Sequence, residues 1–383
     1  MKIKASSLVF SSALRPEKFP GLCDGHPRFL LPFAGRFTYL DMFLSPLMQA
    51  GVRNHLIVTQ RFAEQTHVYM ENAWGKGGWK IIPFLPETGD EPFDSQMLSV
   101  LKNEFAPYVY FGCVDHPCWF NSAALASEFR MRIQGVQPVF GKKAAGLVLV
   151  ERPRLLSVLD DMVRKAIPAS QALGRAFRLL CEDKAIRRVP ADGFFLAIDS
   201  LREYITANRA ILDNQEKFRQ LFAKIPLQSG LSPRSQAVIT KDAEFYRSSL
   251  ADECLVRGRI YDSVLFPGVE IGKHTEVRDA VILPGVRIGA NARIIRCMID
   301  SPGELSDEVK LHIADGARIG NVKSRAENRD FGNALGDGYS YVGSGTIIPK
   351  GVSISGACYI APGLGRTAFS RARVIGEGRS VLQ

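Results

Sequence analysis

The chain has 383 residues, 46% of them hydrophobic, and carries a formal charge of +10. Its mean hydropathy is −0.01, and its longest apolar or glycine run is Ala144–Val150. That composition describes an ordinary globular protein of two-domain size and excludes a membrane-spanning helix, which needs about 20 apolar residues. Seven scattered cysteines, an odd number, exclude a disulfide framework.

The start, Met1-Lys-Ile-Lys, faintly resembles a signal peptide. Ser6, Ser7, Ser11 and Ser12 break its apolar stretch, and no small-residue cleavage site follows. The better reading is a buried first strand, roughly Ser7–Phe10, in a cytoplasmic protein. Apolar spacing then predicts helices over Leu40–Ala50, Ser95–Phe105, Asn121–Gln134 and Leu155–Lys165. Leu56–Val58, Val109–Gly112 and Gly146–Val150 read as buried strands between them. Such alternation implies an α/β domain with a mostly parallel sheet. A long helix, roughly Ser200–Phe222, closes the region. Pro226–Pro233, with Gly230 and two serines, reads as a linker. The domain boundaries follow as 1–227 and 228–383.

The last third repeats itself at 17 residues. Asp262-Ser-Val-Leu-Phe-Pro-Gly-Val-Glu-Ile-Gly returns as Asp279-Ala-Val-Ile-Leu-Pro-Gly-Val-Arg-Ile-Gly. Leu265, Ile271, Val277, Ile282, Ile288, Ile294 and Ile299 fall five or six apart, a period neither helical nor alternating. It suits a coil of three flat faces with one aliphatic per face pointing inward, stacked on its neighbours to bury the row. Val342, Ile348, Ile354 and Ile360 extend the stack. Gly343-Ser-Gly345 lies inside this tract, so it is a corner and not a dinucleotide loop.

The charge suggests anionic partners, and its distribution narrows them. Residues 1–227 carry 29 basic and 22 acidic side chains, and residues 228–383 carry 20 and 17. No long basic run or aromatic-interleaved basic motif appears, which disfavours nucleic acid and leaves phosphorylated small molecules. Arg366, Arg371, Arg373 and Arg379 form the densest basic patch. It could hold a phosphate, although such patches are ordinarily solvated surface. Cys113, His116 and Cys118 match no common zinc spacing, so they read as free thiols and a histidine. Trp74, Trp79 and Trp119 read as packing residues.

Leu31-Pro-Phe-Ala-Gly-Arg-Phe-Thr-Tyr-Leu-Asp-Met-Phe-Leu-Ser45, continuing to Gln49-Ala-Gly-Val-Arg-Asn54 and Leu56-Ile-Val-Thr-Gln60, is specific. It resembles the bacterial ADP-glucose pyrophosphorylase (glucose-1-phosphate adenylyltransferase) family. Tyr108–His116, Gly193–Leu201 with Tyr204 and Asn208, and Asp262–Ile299 agree. The resemblance implies a Rossmann-like nucleotidyltransferase-type α/β domain followed by a left-handed parallel β-helix of hexapeptide repeats.

The departures bear on activity. The family's glycine-rich phosphate loop is Phe10-Ser-Ser-Ala-Leu-Arg15 here, without glycine. Arg15 stands where the loop arginine stands, the one degenerate catalytic candidate. Glycine matters there because a Cβ blocks the approach of backbone N–H groups to phosphate. The family's Lys-Pro is not kept and Pro27-Arg28 lies there instead; the family's non-catalytic subunits show an Arg-Pro, to which His26-Pro27 is closest. Asp115 matches the first of two magnesium-binding aspartates. The second position is Ala197, preceded by Leu196 in place of arginine. Asp199 lies two residues on, over about 6 Å along an extended strand. Phe93-Asp-Ser-Gln96 lacks the glycine of the family's sugar-side helix start. The sugar-phosphate lysine is missing as well, with Lys142 or Lys143 as substitutes beside Arg28.

By resemblance, the expectation is a non-catalytic regulatory or structural subunit acting in glycogen synthesis. It would pair as a hetero-oligomer with a catalytic paralogue and respond to an anionic sugar-phosphate or nucleotide effector. Mg²⁺ would enter only where activity remains. Nucleic acid and membrane are not expected partners. One alternative is an active nucleotidyltransferase with a remodelled site. The other is a hexapeptide acyltransferase using His274 or His312 as base.

Overall fold

The computed structural model describes residues 4–11, 18–22, 27–35, 37–59, 62–83, 91–128, 134–140, 143–144, 146–213, 235–302, 312–370 and 373–382. The proposed linker over 226–233 lies outside them, as does the end of the closing helix beyond Asp213.

The strand Ala5–Phe10 is central. It pairs in parallel with His55–Thr59 on one side and Tyr108–Cys113 on the other. Trp79–Pro83 extends the first side in parallel. On the second side Leu147–Glu151 runs antiparallel to both neighbours, Tyr108–Cys113 and Gly135–Phe140, and Ile186–Pro190 closes the edge. The expected mostly parallel sheet therefore carries an inverted strand, Leu147–Glu151, and beside it the two-residue Lys143–Ala144 antiparallel to Gly135–Phe140. Successive side chains on a strand face opposite ways. Leu8, Phe10, Val109, Phe111, Val148 and Val150 share one apolar cluster, while Val9, Ile57, Tyr110, Leu147 and Leu149 share the other. Ser95–Glu104, Arg152–Arg164 and Ala169–Glu182 cover the first face.

On the second face lies Tyr39–Gln49, buried from Tyr39 through Leu47. Thr38 caps it, and Asp41 answers in a capping box. Asp41 is wholly buried. It accepts the Thr38 N–H at 2.8 Å, the Tyr69 hydroxyl, and the Trp74 indole N–H at 3.0 Å. Burial raises its carboxyl above the usual range, opposed by those bonds. The Leu31–Ser45 segment thus builds scaffold. Trp79 donates to the Gly75 carbonyl, and Trp119 is 9% exposed.

The 17-residue repeat forms three parallel sheets. Val264 pairs with Val281 and then Met298, and Leu265 with Ile282 and then Ile299. Glu270 pairs with Arg287 and Glu276 with Arg293 on the other two faces. The inward aliphatics stack in continuous rows with Val342, Ile348, Ile354 and Ile360, all essentially inaccessible. Corners require left-handed backbone. Gly268 and Gly285 have φ of 73° and 74°, and a Cβ on Gly320 would fall 1.7 Å from the Ile295 carbonyl oxygen.

The two units share one apolar cluster. The helix Leu201–Asp213 is the seam. Arg209 pairs with Asp279 at 2.6 Å and Arg202 with Asp337 at 2.6 Å. Asn208 accepts the Ala34 N–H, while the Tyr204 hydroxyl donates to the Pro32 carbonyl.

Candidate functional site

The chain leaves Ala5–Phe10 toward one side of the sheet and returns on the other at Tyr108–Cys113. Open α/β sheets bind ligands beyond the strand carboxyl ends at such a reversal. Ser11 and Asp115 sit there, held together because Val114 N–H donates to the Phe10 carbonyl. A side chain at Gly112 would lie 2.2 Å from the Phe43 ring, so the strand packs tightly on the buried helix.

Asp115 is 6% exposed. The Ser11 hydroxyl donates to its Oδ1 at 2.7 Å, and the Cys113 thiol donates to Oδ2 at 3.3 Å. His116 follows and points across to the 196–199 segment. That segment is brought back by the antiparallel pairing of Gly193–Phe195 with Cys118–Phe120. A Cβ at Gly193 would meet the Trp119 carbonyl at 2.1 Å, so this crossing requires glycine. The Ile198 N–H donates to His116 Nδ1 at 3.1 Å. His116 Nε2 lies 3.9 Å from Asp199 Oδ1. Burial and the nearby Arg28 charge hold its imidazole below its ordinary pKa, with Asp115 and Asp199 opposing. Nδ1 is the acceptor here, so the proton of a neutral ring sits on Nε2.

Arg28 completes the cluster. Pro27 is extended, and Arg28 opens a short 3-10 turn. Its guanidinium lies 4.5 Å from the Phe19 ring centroid. Nη2 donates to the Ile198 carbonyl and faces His116 Nδ1 at 3.4 Å. Among the described residues the buried Nε–H finds no hydrogen-bond partner. The structure thus joins Arg28, Asp115 and Asp199 through His116, which the sequence reading had set aside with the cysteines. Ser11, Phe19 and the Ile198 backbone were not singled out either. The Tyr108–His116 strand end was the available signal, because whatever precedes and faces such an aspartate shares its site.

Arg15 and Lys142 lie outside the described residues. Lys143 opens a short strand whose partner is Phe140. Arg366 belongs to a 3-10 turn late in the β-helix, and Arg373 and Arg379 flank its last strands. Arg371 lies outside the described residues. His274 occupies a left-handed corner, φ 58°. His312 is buried, with Nδ1 accepting the Arg287 N–H at 3.0 Å.

The donor set can be tested against Mg²⁺, which wants several oxygens in near-octahedral array. Asp115 presents oxygens already bonded to a hydroxyl and a thiol. Position 197 is alanine. A guanidinium stands beside the histidine that links Asp115 to Asp199. Among the described residues no group of three or more His, Cys, Asp or Glu could hold a metal. The described residues do not fit the ion. None of the described cysteines, Cys113 and Cys118 included, forms a disulfide.

Residues 235–333 match the family model described as GlmU-like, C-terminal hexapeptide. The chain is 22% identical over 375 residues to the glucose-1-phosphate adenylyltransferase of Desulforamulus reducens, covering 85% of this chain and 92% of that one. It is 20% identical over 294 residues to the glucose-1-phosphate adenylyltransferase of Clostridium acetobutylicum, covering 64% and 77%. A 99-residue stretch is 30% identical to the Bacillus subtilis protein of the same name, 26% of each chain. These likenesses support the glucose-1-phosphate adenylyltransferase family. Among the described residues no helix is long and apolar enough to cross a membrane.

Proposed function

We propose that this chain is a nucleotidyltransferase-like subunit that does not itself form a sugar nucleotide. It serves as the regulatory or structural partner of an active glucose-1-phosphate adenylyltransferase, in a cytoplasmic hetero-oligomer that supplies glycogen synthesis and answers to an anionic effector. The observation that carries this reading is Arg28. Adenylyl transfer from ATP to glucose 1-phosphate needs a divalent ion to neutralise the triphosphate and align the attacking phosphate. Two carboxylates would have to converge on that ion. Instead Asp115 is engaged by Ser11 and Cys113, and Arg28 binds the Ile198 carbonyl in front of Asp199. The glycine-free loop supports the same reading.

The scaffold is kept while the chemistry is not. The Asp41 network, the stacked β-helix and the ion-paired seam are complete. A subunit selected for assembly needs those and not the metal site.

A remodelled active enzyme is the second reading, favoured by one observation: Asp199 does approach the cluster, 3.9 Å from His116 Nε2. The purified chain with ATP, Mg²⁺ and glucose 1-phosphate separates the two. We expect no ADP-glucose. Turnover at about 1–10³ s⁻¹, typical of enzymes, sinks the non-catalytic reading. Affinity capture from native cells should recover a paralogue whose phosphate loop carries glycine, and its activity should change when this chain is removed. Against the acyltransferase reading, His312 spends Nδ1 on backbone. Acetyl-CoA with amine or hydroxyl acceptors should give no product, with or without His274→Ala.

A further inference from the structure

A cleft of about 480 Å³ opens between the two units, lined by Lys18, Asp199 and Glu203 from the α/β side and Asp330, Phe331 and Asn333 from a β-helix loop. That volume suits a small organic ligand. The loop is fixed in place. Asn328 Oδ1 accepts the Asp330 and Phe331 N–H groups at 3.0 and 2.9 Å, and its amide donates to the Ala357 carbonyl at 2.9 Å. Phe331 packs on Tyr359 with ring centroids 4.4 Å apart. The cleft is therefore preformed, and one wall is an anchored aromatic ring.

Its chemistry rejects several ligand classes. Three carboxylates against one ammonium repel phosphates. The helix N-terminus beneath the cleft has no N–H to offer an anion. Leu201 N–H donates to the Lys18 carbonyl, Arg202 N–H to the Ala334 carbonyl, and Glu203 N–H to the Ser200 hydroxyl. The carboxylates do not form a metal-binding group among the described residues. A simple cation would use the acids and leave Lys18 and Asn333 idle. What remains is an uncharged ligand whose groups both donate and accept, beside an apolar face. Sugar hydroxyls donate to carboxylates and accept from ammonium and amide, while a pyranose C–H face lies against an aromatic ring.

We propose that this cleft binds a non-phosphorylated mono- or disaccharide. The proposal goes beyond the reading above, since an active or an inactive chain could carry such a site. Its place at the seam means that an occupant touches both units at once.

The test is calorimetric titration of the full chain with glucose, maltose, spermidine and inorganic phosphate. We expect saturable binding of a saccharide alone. Asp330→Ala and Asn333→Ala are exposed changes compatible with folding, and each should weaken binding tenfold or more, as for a lost hydrogen bond to a charged or buried partner. Phe331→Leu should weaken it with circular dichroism unchanged. Saturable spermidine or phosphate binding lost in the same variants, or no saccharide saturation into the tens of millimolar, overturns the proposal. The ADP-glucose assay is unaffected by any of these outcomes, so the two ideas fail separately.

Discussion

Replacing Arg28 with alanine is the sharpest probe of the site. The guanidinium donates to the Ile198 carbonyl, faces His116 Nδ1 at 3.4 Å and stacks on Phe19. A charge-assisted hydrogen bond contributes about 1.5–3 kcal/mol, and a cation–π contact about 0.5–1 kcal/mol at a partly exposed position. The longer contact to His116 adds little, and relief of the desolvated charge offsets part of the sum. Arg28→Ala should therefore lower stability by about 2–3 kcal/mol in urea unfolding. It should also raise the pKa of His116, because the neighbouring positive charge disfavours the imidazolium. Proton NMR titration of the His116 ring reads that shift directly. Arg28→Ala should still form no ADP-glucose, because alanine at 197 and the engaged Asp115 remain. An unchanged His116 titration would refute the claim that Arg28 is the cation of this cluster. Recovery of Mg²⁺-dependent turnover would show that the guanidinium alone was blocking an otherwise intact site.

His55 lies buried in the sheet with Ser7 Oγ on its Nδ1 at 2.8 Å, and burial pushes its pKa down to about 4. The unfolded chain takes up a proton below about 6.5, so His55 supports the fold above that pH and its contribution is lost as pH falls toward 4. At about 1.4 kcal/mol per pH unit the loss reaches about 3 kcal/mol. Unfolding of His55→Asn against pH should show a correspondingly flatter acid limb, and equal slopes reject the assignment. Asp41→Ala strands the Thr38, Tyr69 and Trp74 donors, and should cost about 3 kcal/mol or more; a loss under 1 kcal/mol would mean the network is peripheral. Ile282→Ala opens a void in the stacked row and should cost about 2–5 kcal/mol, read as a lowered melting temperature.

The β-helix was legible because its signal is covalently periodic. Each coil needs one aliphatic per face, so Leu265, Ile282 and Ile299 announce the stack directly. The α/β strands were legible where they are buried on both sides, as in Leu56–Val58. Other elements were not visible. Ala63–Trp74 buries only Thr66, Met70 and Ala73, a stripe too thin to stand out. Gly135–Phe140 directly follows the helix expected over Asn121–Gln134, and its glycine and proline mask a strand. The inverted direction of Leu147–Glu151 has no sequence signature, since pairing sense is set by the crossover. At the site, Asp115, Asp199 and Arg28 could be named from the strand-end pattern and resemblance. Their joining through His116 could not, because it depends on the Gly193 crossing that returns residue 198 to the sheet edge.

That crossing also links the site to the rest of the molecule. The Ile198 carbonyl and N–H are held by Arg28 and His116, and three residues later the helix Leu201–Asp213 begins. Glu203 accepts the Asp199 N–H at 2.5 Å, fixing the turn between them. The same helix then reaches the β-helix through Arg202 and Arg209. A shift of the 196–199 segment therefore has to move a rigid helix or break a buried bond, since packed elements do not deform continuously. In a catalytic pocket the segment would be positioned by a dissociable ion and substrate. Here the Arg28 side chain holds it. Arg28 thereby ties the 196–199 segment to the helix whose ion pairs reach the β-helix, which is the property the proposed assembling role requires.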